Sequence, residues 1–323
     1  MAIAQPPIVP IVGGGPAGMS CALWLKSYGL RPLIVEHSAR LGGMQRASPY
    51  PNLGLLGAPG KTARENADAF ERHIESEAIE TLRETAPVRV QTNGDGGFTL
   101  ELAGADGAIR SVAAPALVIA TGTAFRGSEW IGRVAGARAL VAAGRILPNP
   151  AAAGEPDIDL GAHVLIVGGG DNAFDVAHQI ARPGRRVTVA LRGAKPRAQP
   201  ALVERAYRSA NAEIRANAEV TALIDGGHGI AVQFDDGSAL VADRVVLCLG
   251  FTPNTREPWI ESLGLKMDGN GYLAVDAGMV TSHRGVFAIG DVSNPRNPCT
   301  ASALAAGATA ARAIHDRLTG AQP

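Results

Sequence analysis

Ile8-Val9-Pro10-Ile11-Val12-Gly13-Gly14-Gly15-Pro16-Ala17-Gly18 decides how this chain is read. A short apolar run, the length of a buried strand, stops at three consecutive glycines. A helical stretch follows, Met19 to Lys26, and a second apolar run, Pro32 to Val35, ends in Glu36. Gly13, Gly15 and Gly18 thus stand at GxGxxG spacing inside a strand–turn–helix–strand unit. The first glycine makes the tight turn, the second lets the backbone approach a pyrophosphate, and the third lets helix and strand pack closely. Free N–H groups and the dipole at the helix start favour an anion there. Glu36 lies at the end of the second strand, where a carboxylate accepts hydrogen bonds from a ribose diol. Pro10 is discordant, because a proline in mid-sheet removes a ladder donor. A bulge or a locally free backbone position is expected at that residue.

The pattern recurs. His163 to Val167 is an apolar run, followed by Gly168-Gly169-Gly170-Asp171-Asn172-Ala173 at GxGxxA spacing. A helix-like stretch continues through Ile180, and Arg186 to Ala190 reads as the next strand. Each copy then runs through short alternating segments before a closing apolar run. The first uses a segment around Val88, then Phe98 to Leu102 and Ser111 to Leu117, ending in Val118-Ile119-Ala120-Thr121-Gly122. The second uses Ala222 to Ile224, Ile230 to Phe234 and Ala239 to Val241, ending in Val245 to Gly250. Turn signals Asp95-Gly96-Gly97 and Asp235-Asp236-Gly237 break them into antiparallel strands.

Composition bounds the rest. At about 150 residues per domain, 323 residues suggest two domains. Hydrophobic residues at 46% rule out global disorder. Thirty basic residues balance thirty acidic ones, so there is no electrostatic footprint for nucleic acid or an anionic membrane. No apolar run approaches membrane-spanning length, and no signal peptide is apparent, so a soluble cytoplasmic protein is expected. The three cysteines, Cys21, Cys248 and Cys299, form neither a disulfide framework nor a metal spacing, and the seven histidines show no metal spacing either. Cys21 and Cys248 read as small buried hydrophobes, and His315 as solvated. Thr62-Ala63-Arg64-Glu65 is a capping box opening a helix through Ser76, whose charges read as a solvated face. The proline-rich run Leu147 to Pro156 reads as a plain linker or a partner surface.

Together these residues resemble the two-dinucleotide-binding-domain flavoproteins, specifically the low-molecular-weight thioredoxin-reductase-like group. The resemblance covers nearly the whole chain: Gly13 to Gly18, Glu36, Leu41-Gly42-Gly43, Asn52, Ala120-Thr121-Gly122, Gly168 to Ala173, Gly250, and Gly285 to Asp291. It implies an α/β fold of two Rossmann-like dinucleotide-binding domains, each a parallel sheet plus a β-meander, the second inserted into the first. The FAD domain would be discontinuous, 1–123 and 251–323, and the NAD(P)H domain would be 124–250. The implied FAD residues are Gly13, Gly15, Pro16, Ala17, Gly18, Glu36, Gly43, Met44, Gln45, Asn52, Gly122, Gly290, Asp291, Thr300 and Ala301. Asp291 would bond the ribityl chain, and the helix from Thr300 to about Leu318 would aim its N-terminus at the flavin. Helix-end N–H groups stabilise negative charge growing on the flavin as it is reduced. The implied NAD(P) residues are Gly168, Gly170, Asp171, Asn172, Ala173, Arg192, Arg197 and Gly250. A homodimer, and a nucleotide domain that rotates about connections near residues 123 and 250, are implied by the resemblance alone.

A cofactor with a free 2′-hydroxyl usually meets an acid at the end of the second strand, but the second unit has Ala190-Leu191-Arg192 there. Arg192 and Arg197 match two of the three basic positions that hold the 2′-phosphate in relatives, and Gly193 replaces the middle one. This favours NADPH over NADH, although a solvated loop containing Lys195 would also carry such arginines.

Thioredoxin reductases carry a CxxC pair before the second glycine turn; this chain has none anywhere. A relay through adjacent thiols is therefore excluded. The expectation is an FAD-dependent NAD(P)H oxidoreductase with an acceptor of another kind. Three readings stay open. One is a reductase of a small redox protein such as ferredoxin or flavodoxin. Another is a small-molecule reductase, acting on thiols or disulfides through Cys299, the candidate reactive thiol before the C-terminal helix. The third is a flavoprotein fed by another donor.

Overall fold

The computed structural model describes residues 6–94 and 96–321; Asp95 of the first turn signal lies outside the described residues. The chain divides into two compact units. The first holds the described residues up to Ala47, Pro51–Ala124 and those from Pro253 on; the second holds Ser48–Tyr50 and Phe125–Thr252.

The first unit opens with β1 (Ile8–Val12), α1 (Pro16–Ser27), β2 (Arg31–Val35), α2 (Met44–Ala47), α3 (Ala63–Ser76) and β3 (Glu80–Leu82). A meander follows, β4 (Thr85–Thr92), β5 (Phe98–Gly104) and β6 (Ile109–Ala114), then β7 (Leu117–Ile119) and β8 (Thr123–Phe125). The second unit contains α4 (Ser128–Arg133), α5 (Ala137–Ala142), β9 (Ile146–Leu147), β10 (His163–Val167), α6 (Asp171–Ile180), β11 (Arg186–Ala190), α7 (Pro200–Tyr207) and β12 (Ala212–Arg215). Its own meander is β13 (Val220–Asp225), β14 (Ile230–Phe234) and β15 (Ala239–Ala242), closed by β16 (Arg244–Leu247). The chain returns through β17 (Phe251–Pro253), which pairs with β8, and ends with α8 (Pro258–Glu261), β18 (Val286–Ala288) and α9 (Thr300–Thr319).

The first sheet is parallel in the order β3-β2-β1-β7-β18 and the second is parallel in the order β12-β11-β10-β16-β9. In each, strand order reverses beside the strand that precedes the glycine turn. Such a switch point leaves a crevice at the carboxyl ends of the strands, where ligands of open α/β sheets bind. The central strands β1, β7 and β10, buried on both faces, are largely apolar and so read as continuous runs rather than alternating ones, whereas the edge strands β3 and β12 are partly exposed and carry Glu80 and Glu213. The run Ser111 to Leu117, expected as one strand, is two: β6 ends at Ala114, and β7 begins at Leu117 after Pro115.

Pro10 sits mid-sheet without a bulge. Gly13 N–H donates to Val35 O of β2, while Val12 O accepts from Ala120 N on the β7 side. Backbone groups alternate along a strand, so Pro10 faces β7. Pairing with β7 begins only at Ile11↔Val118, so the missing N–H falls where no ladder bond is made.

With aromatic residues at only 4%, small residues do much of the close packing. A Cβ on Gly307 of α9 would lie 2.4 Å from Ala17 O and 2.7 Å from Cys21 N, so the two helices cross with backbones in contact. Ser20 Oγ seals the crossing by donating to Leu304 O at 2.7 Å. Cys21 and Cys248 are buried, and burial pushes both thiols far up. The run Leu147 to Pro156 is not a plain linker. Pro150–Gly154 forms a short 3-10 helix capped by Asn149, and Ala153 joins Leu160 and Phe174 in the second unit's core. Phe174 is fully buried there, so truncating it to alanine costs about 3–5 kcal/mol. His315, expected to be solvated, is partly so: its side chain is half-buried, with its ring 4.9 Å from that of Tyr28 and Nδ1 3.2 Å from Asp316.

Candidate cofactor sites

In the first unit the glycine turn follows β1. Gly13 has φ +114°, and a Cβ there would sit 2.3 Å from Ala120 O. A Cβ on Gly18 would sit 2.0 Å from Gly13 O. These two glycines are needed by the fold itself. Gly15 differs: the nearest atom to its Cβ position is Gly43 Cα at 4.0 Å, so the turn is open on that side. Gly15 caps α1, Pro16 and Ala17 begin it, and no acid stands in its first turn to repel an anion. Glu36 is 3% exposed. Its Oε2 accepts Gly14 N–H at 2.7 Å and its Oε1 accepts Ser38 N–H at 2.8 Å. The carboxylate therefore braces the glycine turn, and its remaining lone pairs can still accept from a diol.

Further predicted residues meet at the start of α9. Thr300 Oγ1 accepts from Asn52 Nδ2 at 3.0 Å and from Gln45 Nε2. Gln45 Oε1 is buried without a partner. The side chain of Asp291, in the short turn after β18, has no hydrogen-bond partner among the described residues, and burial pushes its carboxyl up to about 6. Two acceptors without donors in one unit are the mark of a ligand carrying hydroxyl and N–H groups. The ribityl chain and ring of FAD carry such groups, so these residues fit it. Met44 begins α2, Gly122 O accepts Asn254 N–H at 3.0 Å, and Ala301 is exposed in the first turn of α9. Cys299 is exposed and caps α9: its Sγ accepts Ser302 N–H at 3.5 Å, and Ser302 Oγ accepts Cys299 N–H at 3.3 Å.

The second unit repeats the turn. Gly168 has φ +142°, and a Cβ there would lie 2.1 Å from Cys248 O. Gly170 caps α6 and faces open space. Ala173 is fully buried behind it. Asp171 plays a part that its place in the motif did not announce. Its two oxygens accept Gln199 N and Nε2, both at 2.8 Å, while Arg197 N–H donates to Gly169 O at 2.7 Å. The loop from Arg192 to Gln199 is thereby tied to the glycine turn. Arg192 and Arg197 are exposed, and neither guanidinium has an ion-pair partner among the described residues. Gly250 O accepts Arg126 N–H at 2.9 Å just beyond β16.

Sequence reasoning missed Gln199 and, more seriously, Glu71. The capping box on Thr62 forms, and Glu65, Arg72 and Glu75 lie on a solvated face as expected, but Glu71 does not: it is 2% exposed and ringed by arginines. The signal was available, since Glu71 shares the buried helix face with Ala67 and Ile74. Among the described residues no cluster of His, Cys, Asp or Glu is placed to hold a metal, and no helix is long and apolar enough to cross a membrane.

Two strand-order switch points, each with an open glycine turn, define an α/β protein built from two units of the dinucleotide-binding type. Residues 8–310 match the family described as "Pyridine nucleotide-disulphide oxidoreductase", and the chain belongs to it. It is an FAD-dependent pyridine-nucleotide oxidoreductase. It is 31% identical to a protein of Ignicoccus hospitalis named "Ferredoxin--NADP reductase", over 88% of this chain and 89% of that one. A protein of the same name from Salinispora tropica is 33% identical over 88% of this chain and 85% of its own. Among solved structures, T. acidophilum thioredoxin reductase superposes with a TM-score of 0.83 at 24% identity, covering 98% of this chain and 99% of that one, a likeness of fold.

Proposed function

We propose that the chain transfers electrons from NADPH, through FAD, to a small redox protein of the ferredoxin or flavodoxin kind. FAD and NADPH are its cofactors. Gly13 to Gly18, Glu36, Gly43, Gln45, Asn52, Asp291 and Thr300 hold FAD, and Gly168 to Ala173 with Arg192 and Arg197 hold NADPH. Bound FAD supplies the chemistry, accepting two electrons from a reduced nicotinamide and releasing them to the acceptor. The protein's residues position and polarise. The open face of Gly15 and the N-terminus of α1 receive the pyrophosphate. Asp291 accepts from a hydroxyl, and the free N–H groups at the start of α9 favour negative charge near Thr300. The two unpaired guanidiniums suit a 2′-phosphate, which the planar fork of arginine binds bidentately.

The observation that carries the choice of acceptor is the absence of any CxxC, in a chain whose relatives of similar length are named ferredoxin–NADP reductases. The test is NADPH-driven reduction of a ferredoxin, a flavodoxin and thioredoxin in parallel under anaerobic conditions. Reduction of ferredoxin or flavodoxin without thioredoxin supports the reading; reduction of thioredoxin alone overturns it.

A further inference from the structure

Glu71 is out of place on α3. A carboxylate stands on the face that also buries Ala63, Ala67 and Ile74. A buried charge persists only when paired and hydrogen-bonded. Oε2 accepts from Arg40 Nε at 2.6 Å and from Arg46 Nη2 at 3.0 Å. Oε1 accepts Leu41 N–H at 3.0 Å and lies 3.1 Å from Arg83 Nη2. Burial alone would raise this carboxyl; Arg40 and the Leu41 N–H outweigh it and hold it below its ordinary value.

Three of these four partners belong to one segment, Arg40 to Arg46. That segment closes on itself through Arg46 Nε and Leu41 O at 2.6 Å. It then reaches the first glycine turn. Gly42 N–H donates to Gly14 O at 2.9 Å, and Gly43 lies so near Gly15 that a Cβ on it would be 3.1 Å from Gly15 Cα. Gln45, two residues on, meets Thr300. A continuous line of contacts therefore runs from α3 to the open side of the turn.

We infer that Glu71 is a positioning residue for the flavin nucleotide, fixing the Arg40–Gln45 segment against the glycine turn before FAD binds. The inference rests on the reading that this turn is the FAD site. Affinity falls in proportion to the fraction of molecules holding the competent conformation. Glu71→Gln keeps the size and an acceptor for Leu41 N–H but removes the buried charge that Arg40, Arg46 and Arg83 share, leaving Arg40 and Arg46 only the more exposed Asp68 and Arg83 only Glu75. A drop in the ordered fraction to about a tenth raises the FAD Kd about tenfold.

The experiment strips the flavin and titrates wild type, Glu71→Gln, Arg40→Met and Glu75→Gln with FAD, well below the melting temperature of each. Amide exchange of the segment containing Leu41 and Gly42 is read in the same flavin-free samples. Glu75, exposed and bonded to Arg83, is the control. About tenfold weaker FAD binding by Glu71→Gln, faster exchange at 41–42 and an unchanged Glu75→Gln support the inference. A lowered melting temperature with wild-type FAD affinity overturns it and leaves Glu71 as a stabiliser of α3. If Glu71→Gln does not fold, Arg40→Met decides, with about threefold weaker binding expected and unchanged binding contradicting. A wild-type protein that binds no FAD would instead sink the site assignment, whatever the exchange data show.

Discussion

Replacing Asp291 by asparagine should stabilise the flavin-free protein and weaken the flavin-bound one. Burial raises the Asp291 carboxyl from an ordinary value of 3.8 to about 6. Between those values the folded state binds more protons than the unfolded state, so this group's contribution falls as pH rises through the window. A tenfold change in proton affinity is worth about 1.4 kcal/mol, giving at most about 3 kcal/mol above pH 6. Partial exposure reduces this to about 1–2 kcal/mol. Asparagine does not titrate, so Asp291→Asn should exceed wild type by that amount at pH 7.5 and match it near pH 4. Urea unfolding of flavin-free samples at pH 4, 5.5 and 7.5 measures the difference. With FAD bound the sign reverses, because a charge-assisted hydrogen bond worth about 1.5–3 kcal/mol is lost, a fall in affinity of about 10- to 100-fold. A stability gap that does not change with pH, or a wild type more stable at pH 7.5 without flavin, would refute the reasoning.

Arg192→Ala and Arg197→Ala should each raise the NADPH Kd about tenfold and leave NADH binding unchanged, measured by equilibrium titration; equal losses for both nucleotides would remove the phosphate assignment. Cys299→Ser should retain full turnover with every acceptor, since serine caps a helix as well as a thiol does; lost disulfide reduction would restore the thiol mechanism. His163 is buried between Val241 O at 2.5 Å and Thr188 Oγ1 at 2.9 Å. Burial lowers its pKa, so the unfolded state binds the extra proton and stability is lost as pH falls below about 6.5. His163→Gln should flatten that acid-side slope in urea unfolding between pH 7.5 and 5, and an unchanged slope would count against it.

Both glycine turns and their flanking strands were legible because an apolar run, a Cβ-free corner and a helix start are local features. Gly13 and Gly168 are required by contacts with the strand end beside them, and the glycine spacing alone carries that information. The Gln45–Asn52–Thr300 cluster spans residues more than two hundred positions apart, and only the family resemblance brought them together. Pro10 looked like a fault because its register with β7 is invisible in one dimension. Asp171 and Glu71 were hidden for a common reason. Each carboxylate serves a backbone N–H on a distant loop, Gln199 and Leu41, and nothing in sequence spacing marks that partner. Leu147 to Pro156 looked like a linker because prolines signal breaks whether or not the segment packs.

Anaerobic titration of the purified protein with NADPH, following the visible flavin band, tests the two-site reading most directly. Stoichiometric bleaching by NADPH, with NADH far less effective, is the predicted result. A bound flavin that neither nucleotide bleaches would contradict the reading.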